Sequence, residues 1–316
     1  MRIPALLTAL LLSLPGAGGA ETAIRDGHAI WYRIEGEASA EKPPILLLHG
    51  GMMNTDLAWS HLIPRLSADR AVIGIDQQGH GHTADRARPI TLDTLRADTL
   101  AVLDARQIDK AHVIGFSLGG MQALDLAVNA PDRVASLTMI SAGRDAQGFL
   151  PELAQMNRDP THVPSSQLLP RLPTPRDFLD MRRGYQDQNP DGSGIMVPVA
   201  KKLGALLNSE WGFSDDQLAA IEVPAMVAIG DRDFIRPRPC RADRRNRAGR
   251  VADGAARHHP YADPASPRTA RDAAGPDPAG RSRGLSVAPA TRPRNHLMIV
   301  SGPIISVGSH VLRNGT

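Results

Sequence analysis

Ser117 stands between two glycines in Gly115-Phe116-Ser117-Leu118-Gly119-Gly120, directly after the run His112-Val113-Ile114 and ahead of a stretch of small and apolar residues. A serine hydroxyl is a poor nucleophile until its proton has somewhere to go. A tight strand-to-helix turn lifts it above the carboxyl end of the strand, and flanking glycines let the backbone crowd closely enough to make that turn. The start of the following helix offers amide N–H groups that have no acceptor within the helix. A second glycine-rich strand end, His49-Gly50-Gly51, closes the apolar run 45–48, where a glycine can aim an N–H at an oxygen that gains negative charge. The expected donor pair is the amide of Gly51 with that of Leu118, and Met52 is next in line for the first of them.

The elements that would position these residues are legible as alternating patterns. Residues 23–34 alternate around Asp26-Gly27, which predicts a hairpin. The runs 45–48 and 71–75 are apolar without interruption, as strands of a parallel sheet covered on both faces should be. Thr91 can cap a helix that places Leu92, Leu95, Val102 and Leu103 on one face. A strand at 112–114, a helix from Leu118 to about Asn129 and strands at 135–140 and 225–229 continue the alternation. The predicted class is α/β with a doubly wound, mostly parallel sheet. Between the last two strands, residues 143–218 turn irregular and rich in proline and aromatics, including Phe149, Phe178, Tyr185, Trp211 and Phe213, and read as an inserted helical cap. Its Met156 and Met181 suit either packing or an apolar pocket.

With both glycine motifs placed, the chain resembles the α/β-hydrolase family over roughly residues 27–237, in the cap-bearing branch of esterases, lactonases, haloperoxidase-like enzymes and carbon–carbon bond hydrolases. Asp76-Gln77-Gln78-Gly79-His80-Gly81-His82-Thr83 is similar to that family's Asp-x-Arg-Gly-x-Gly-x-Ser loop, with Gln78 for the usual arginine and Thr83 for serine. Gly230-Asp231-Arg232-Asp233-Phe234-Ile235-Arg236-Pro237 resembles its acid loop, where the acid stands four residues before a proline. That singles out Asp233 and leaves Asp231 as a turn residue. The resemblance implies that Ser117 attacks an acyl carbon, a histidine takes its proton, and Asp233 orients that histidine. A serine nucleophile sets the chain apart from the epoxide hydrolases and dehalogenases of this fold, which attack through an aspartate.

The implied base is His259, with His258 beside it, although no apolar strand precedes them. His296 and His310 are the alternatives, the latter after a possible strand and turn at 304–309; a reading in which no histidine reaches Ser117 makes the chain an inactive relative. The expected substrate is a small carboxylic ester, thioester or lactone with an apolar portion, and cofactor-free haloperoxidase-like oxidation is a third reading. No cofactor or metal enters this chemistry: His80 and His82 have no third ligand nearby and read as loop residues.

Composition narrows the classes further. With 42% apolar residues, the 316-residue chain can bury a large core, so a disordered or fibrous protein is excluded. The net charge of +3 is divided unevenly: residues 1–235 carry 21 Lys/Arg against 28 Asp/Glu, and 236–316 carry 15 Arg against 5 Asp. The body is therefore acidic, and the basic balance belongs to the tail, which gives no support to nucleic-acid binding. The single Cys240 forms no intramolecular disulfide. Arg2, the apolar run 3–14 and Gly18-Gly19-Ala20 read as an export signal cut after Ala20, and the run is too short to anchor the chain in a bilayer. The expected organisation is signal 1–20, core 21–142, cap 143–218, core 219–237 and tail 238–316. Residues 241–290 hold 13 Ala and 10 Arg but only Val251, Tyr261, Leu285 and Val287 among larger apolar residues, too few for a core. The stretch reads as a disordered basic tail or, preferably, as sequence translated out of its original frame.

Overall fold

The computed structural model describes residues 19–39, 41–159, 161–230, 233–235 and, as backbone only, 297–302. These belong to one unit, and a second unit, 241–294, lies outside them, as do Cys240 and most of the predicted signal. Strands β1 (Gly19–Arg25) and β2 (His28–Glu35) form the predicted hairpin, turning at Asp26 and Gly27 with φ of 52° and 75°. A cut after Ala20 falls inside β1 and removes its two outermost pairs, with Ile34 and Arg33.

Strand β3 (Ile45–Leu48) leads into helices α1 (Thr55–Trp59) and α2 (Ile63–Leu66), and β4 (Val72–Ile75) into α3 (Leu92–Ala105). Thr91 and Thr94 close a reciprocal cap at the start of α3: each backbone N–H donates to the other's hydroxyl. Strand β5 (Ala111–Phe116), helix α4 (Leu118–Asn129) and strand β6 (Val134–Ile140) follow. Helices α5 (Pro151–Arg158), α6 (Pro175–Gln188), α7 (Met196–Asn208) and α8 (Asp215–Ala219) lie between β6 and β7 (Ala225–Gly230), and β8 (Leu297–Gly302) adds the last strand.

The sheet order is β1-β2-β4-β3-β5-β6-β7-β8; the hairpin edge is antiparallel and β4 through β8 run parallel. The continuous apolar strands divide their side chains between two cores. Leu46 and Leu48 face one core with Ile73, Ile75 and residues of α3 and α4, while Ile45 and Leu47 face Ala58, Trp59 and Ile63 on the other side. This two-sided burial is why β3 and β4 show no polar alternation.

The structure adds elements that the sequence patterns do not show. Helices α1 and α2 were not foreseen, because they are too short to show a period. The strand paired beyond β7 is 297–302, inside the segment expected as a low-complexity tail, and the possible strand and turn at 304–309 lie outside the described residues. The inserted segment, expected as a helical cap, holds the α-helices α5 to α8 among the described residues. Its α7 turns Val199, Leu203 and Leu206 inward at helical spacing. Polar contacts tie the insertion to the loops below: Asn54 donates to Gln188 (2.6 Å), Asn189 to the Gly81 carbonyl (3.0 Å) and Lys202 to Asp85 (2.7 Å).

Candidate active site

Ser117 occupies the single-residue junction between β5 and α4 with φ 51° and ψ −113°, a backbone conformation that costs a non-glycine residue about 1–3 kcal/mol. The surrounding structure holds it there: its N–H donates to Ile140 (2.8 Å) and its carbonyl accepts from Met121 (3.0 Å). The flanking glycines are required by close approach. A Cβ on Gly115 would lie 2.0 Å from the Gly119 carbonyl oxygen, and one on Gly119 would lie 2.1 Å from that of Leu48. The Ser117 side chain is half-buried, and its hydroxyl has no hydrogen-bond partner among the described residues.

The two sequence-predicted donors converge beside it. A Cβ on Gly51 would stand 4.0 Å from the Leu118 Cβ, and neither amide donates to another described residue. Leu118 is the first residue of a twelve-residue helix, so its N–H adds the positive end of the helix dipole. From above, Leu203 of α7 comes within 3.1 Å of that same Gly51 Cβ position and roofs the cradle with an apolar side chain. Met52, the alternative donor, is excluded, since its N–H already donates to His80 Nε2 at 3.1 Å.

The orientation of the Gly51 amide follows from His49. The Gln77 N–H donates to His49 Nε2 (3.0 Å), so the ring carries its proton on Nδ1 and donates it to the Gly50 carbonyl (2.8 Å). The Met53 N–H donates to the same carbonyl (3.2 Å). In a planar trans peptide, pinning the Gly50 oxygen sends the Gly51 N–H the opposite way. Both nitrogens of each ring are engaged, and burial lowers the basicity of both imidazoles, that of His80 to about 3.

Asp233 lies just beyond β7, two strands from β5, a lateral offset of about 10 Å. Its Oδ1 accepts from the Ile235 N–H (2.9 Å), and Arg171 donates to its carbonyl (2.6 Å). Its Oδ2 is buried with no partner among the described residues, an open acceptor of the kind an imidazole N–H fills. Asp231, His258, His259, His296 and His310 lie outside the described residues. His82 is committed elsewhere: its Nδ1 bonds Asp76 (2.9 Å) and its ring stacks on Trp31 at 4.2 Å, on the hairpin side of the sheet.

The departures from the loop pattern at 76–83 are compensated locally. The Thr83 hydroxyl donates to the Asp76 carbonyl (2.7 Å) and accepts from the Trp31 N–H (2.9 Å). Gln78 takes Arg88 Nε on its carbonyl oxygen (2.7 Å) and donates to Asp85 (2.9 Å), so a guanidinium from ten residues along stands beside it. Sequence reasoning missed His80, Leu203 and Tyr185 as parts of this site. The spacing of Val199, Leu203 and Leu206 was the one available signal.

A family model described as alpha/beta hydrolase fold matches residues 43–247. The dihydrolipoyllysine-residue acetyltransferase component of the acetoin cleaving system of Pseudomonas putida is 36% identical over 226 residues, 66% of this chain and 55% of that protein. The chain thus spans little more than half the length of that relative. The rhodomycin D methylesterase DauP of Streptomyces sp. (strain C5) is 30% identical over 215 residues, 66% of this chain and 69% of that one. Among solved structures, one reported as Est816, an N-acyl homoserine lactone degrading enzyme, superposes with a TM-score of 0.53 at 24% identity, covering 68% of this chain and 83% of that one.

Proposed function

Because this chain belongs to the α/β-hydrolase family, we propose that it is a serine hydrolase in which Ser117 attacks the acyl carbon of a small carboxylic ester, thioester or lactone. The observation that carries the reading is the strained junction at Ser117, which presents a half-buried hydroxyl beside the two unengaged amides of Gly51 and Leu118. Attack at the carbonyl carbon forms the Oγ–C bond and moves the π electrons onto oxygen. The two N–H groups stabilise that oxyanion, an effect worth about 10²–10³ in rate per donor. The proton of Ser117 passes to a histidine, assigned to His259, which returns it to the leaving alcohol or thiol. Water then repeats the sequence on the acyl-enzyme and releases the acid. The open Oδ2 of Asp233 accepts the other ring N–H and stabilises the imidazolium. Side chains and amides supply every group in this scheme, and no metal or cofactor takes part.

The apolar roof of Leu203, with Met52 and Tyr185 nearby, favours substrates carrying an apolar portion. The name of the methylesterase relative points to the same bond type. The test is labelling by a fluorophosphonate together with turnover of p-nitrophenyl acetate and butyrate. Ser117→Ala should abolish labelling and lower turnover by about three orders of magnitude or more. Turnover that is equal in the two proteins, with no label on the folded chain, would instead assign an inactive relative.

A further inference from the structure

We infer that His80 is a positioning residue for the oxyanion cradle, holding the peptide bond after Gly51 as His49 holds the one before it. The inference rests on the reading of Gly51 as an oxyanion donor. His80 is fully buried between Gly79 and Gly81, and its Nδ1 bonds the Gln78 carbonyl at 2.8 Å. That bond places the ring proton on Nδ1 and leaves the Nε2 lone pair to accept the Met52 N–H at 3.1 Å. Met52 sits at φ 62°, in the left-handed region that residues with a Cβ seldom occupy. Released from its acceptor, that N–H would be a buried unpaired donor, and rotation of Met52 to negative φ would relieve both penalties at once. The rotation turns the 51–52 peptide and, through the φ and ψ of Gly51, strains the adjoining 50–51 peptide whose N–H faces Leu118.

The insertion seals the arrangement from above. The Tyr185 hydroxyl of α6 points at the Met52 sulfur (3.8 Å), its ring centre lies 6.0 Å from that of His80, and Leu203 covers Gly51. His80 thus acts through Met52 and Gly51 and touches no reacting atom. The His80 Nε2 thus adds to the bonds of His49 with Gln77 that join the loop after β3 to the loop after β4.

His80→Leu removes the acceptor, and His80→Gln keeps a carbonyl oxygen for Met52 and an amide donor for Gln78. Ester turnover by His80→Leu should show kcat lowered about 10- to 100-fold with KM changed less than about twofold, because a misaligned donor weakens transition-state binding alone. His80→Gln should recover most of the rate. Hydrogen–deuterium exchange of the Met52 amide should be slow in wild type and in His80→Gln, and fast in His80→Leu. If His80→Leu does not fold, His80→Asn, polar but too short to reach Met52, takes its place with the same expectations. Wild-type protein without turnover or labelling overturns the serine hydrolase reading, while Met52 exchange still decides the role of His80. Active wild type with unchanged kcat in His80→Leu, or Met52 exchange indifferent to all variants, overturns the inference.

Discussion

The imidazoles of His49, His80 and His82 titrate in opposite senses, although the three rings sit within one pair of loops. Burial lowers the pKa of the first two, that of His80 to about 3 from an ordinary 6.5, so the folded protein binds fewer protons than the unfolded chain between those values. The stability contributed by these neutral rings is complete above pH 6.5 and is lost as pH falls, for His80 toward its folded value of about 3. His82 is raised by its bond to Asp76, so its contribution is complete below 6.5 and is lost as pH rises through its folded value. Urea denaturation between pH 6.5 and 5, where carboxylates stay ionised, should show His80 alone lowering stability by about 1 kcal/mol per pH unit. His80→Gln should remove that part of the slope. A slope the same in variant and wild type would mean that His80 is solvated in the native state.

At the level of elements, the junction of β5 and α4 depends on contact distance more than on helix propensity. Gly119→Ala places its methyl 2.1 Å from the Leu48 carbonyl oxygen, a backbone atom that has no rotamer by which to move aside. Gly204, in the middle of α7, has nothing within 4 Å of an added Cβ. The same substitution therefore has opposite signs: Gly119→Ala should destabilise by about 3 kcal/mol or more, and Gly204→Ala should stabilise by about 0.5–1 kcal/mol. Thermal denaturation of the two variants measures both. Gly119→Ala should also lose fluorophosphonate labelling, since β3 and α4 can separate only by opening the angle between Gly51 and Leu118.

Across the molecule, the hairpin edge, the loop after β4 and helix α3 meet at one carboxylate. Asp98 of α3 is 3% exposed and receives Arg25 of β1 (2.9 Å), Arg86 (3.3 Å) and Arg88 (2.6 Å). Two further nitrogens of Arg86 are buried without partners among the described residues, so this guanidinium relies heavily on Asp98. Asp98→Asn removes the countercharge from three arginines and should cost about 3–5 kcal/mol, read as a lower urea midpoint. Arg88 also holds Gln78, next to His80's acceptor loop, so the loss should reach ester turnover as well. A midpoint within about 0.5 kcal/mol of wild type, the range of an ordinary surface substitution, would show the cluster to be solvated.

The sequence by itself determined the layers and the tight turn at Ser117. Uninterrupted apolar runs at 45–48 and 71–75, the Thr91 start of α3 and the glycines around Ser117 are local signals, and each reports burial or backbone geometry within a few residues. Partner choice was decided by the tertiary structure. Gly51 rather than Met52 is the unengaged amide because His80, 28 residues on, claims the second. Gln78 stands where an arginine is usual because Arg88 reaches its carbonyl, and three arginines converge on Asp98 from separate elements. Periodicity records which face of an element is dry. The acceptor that a given N–H finds depends on which strand ends the sheet order brings side by side, and that adjacency of β3 with β4 and β5 is written nowhere in the spacing of residues along the chain.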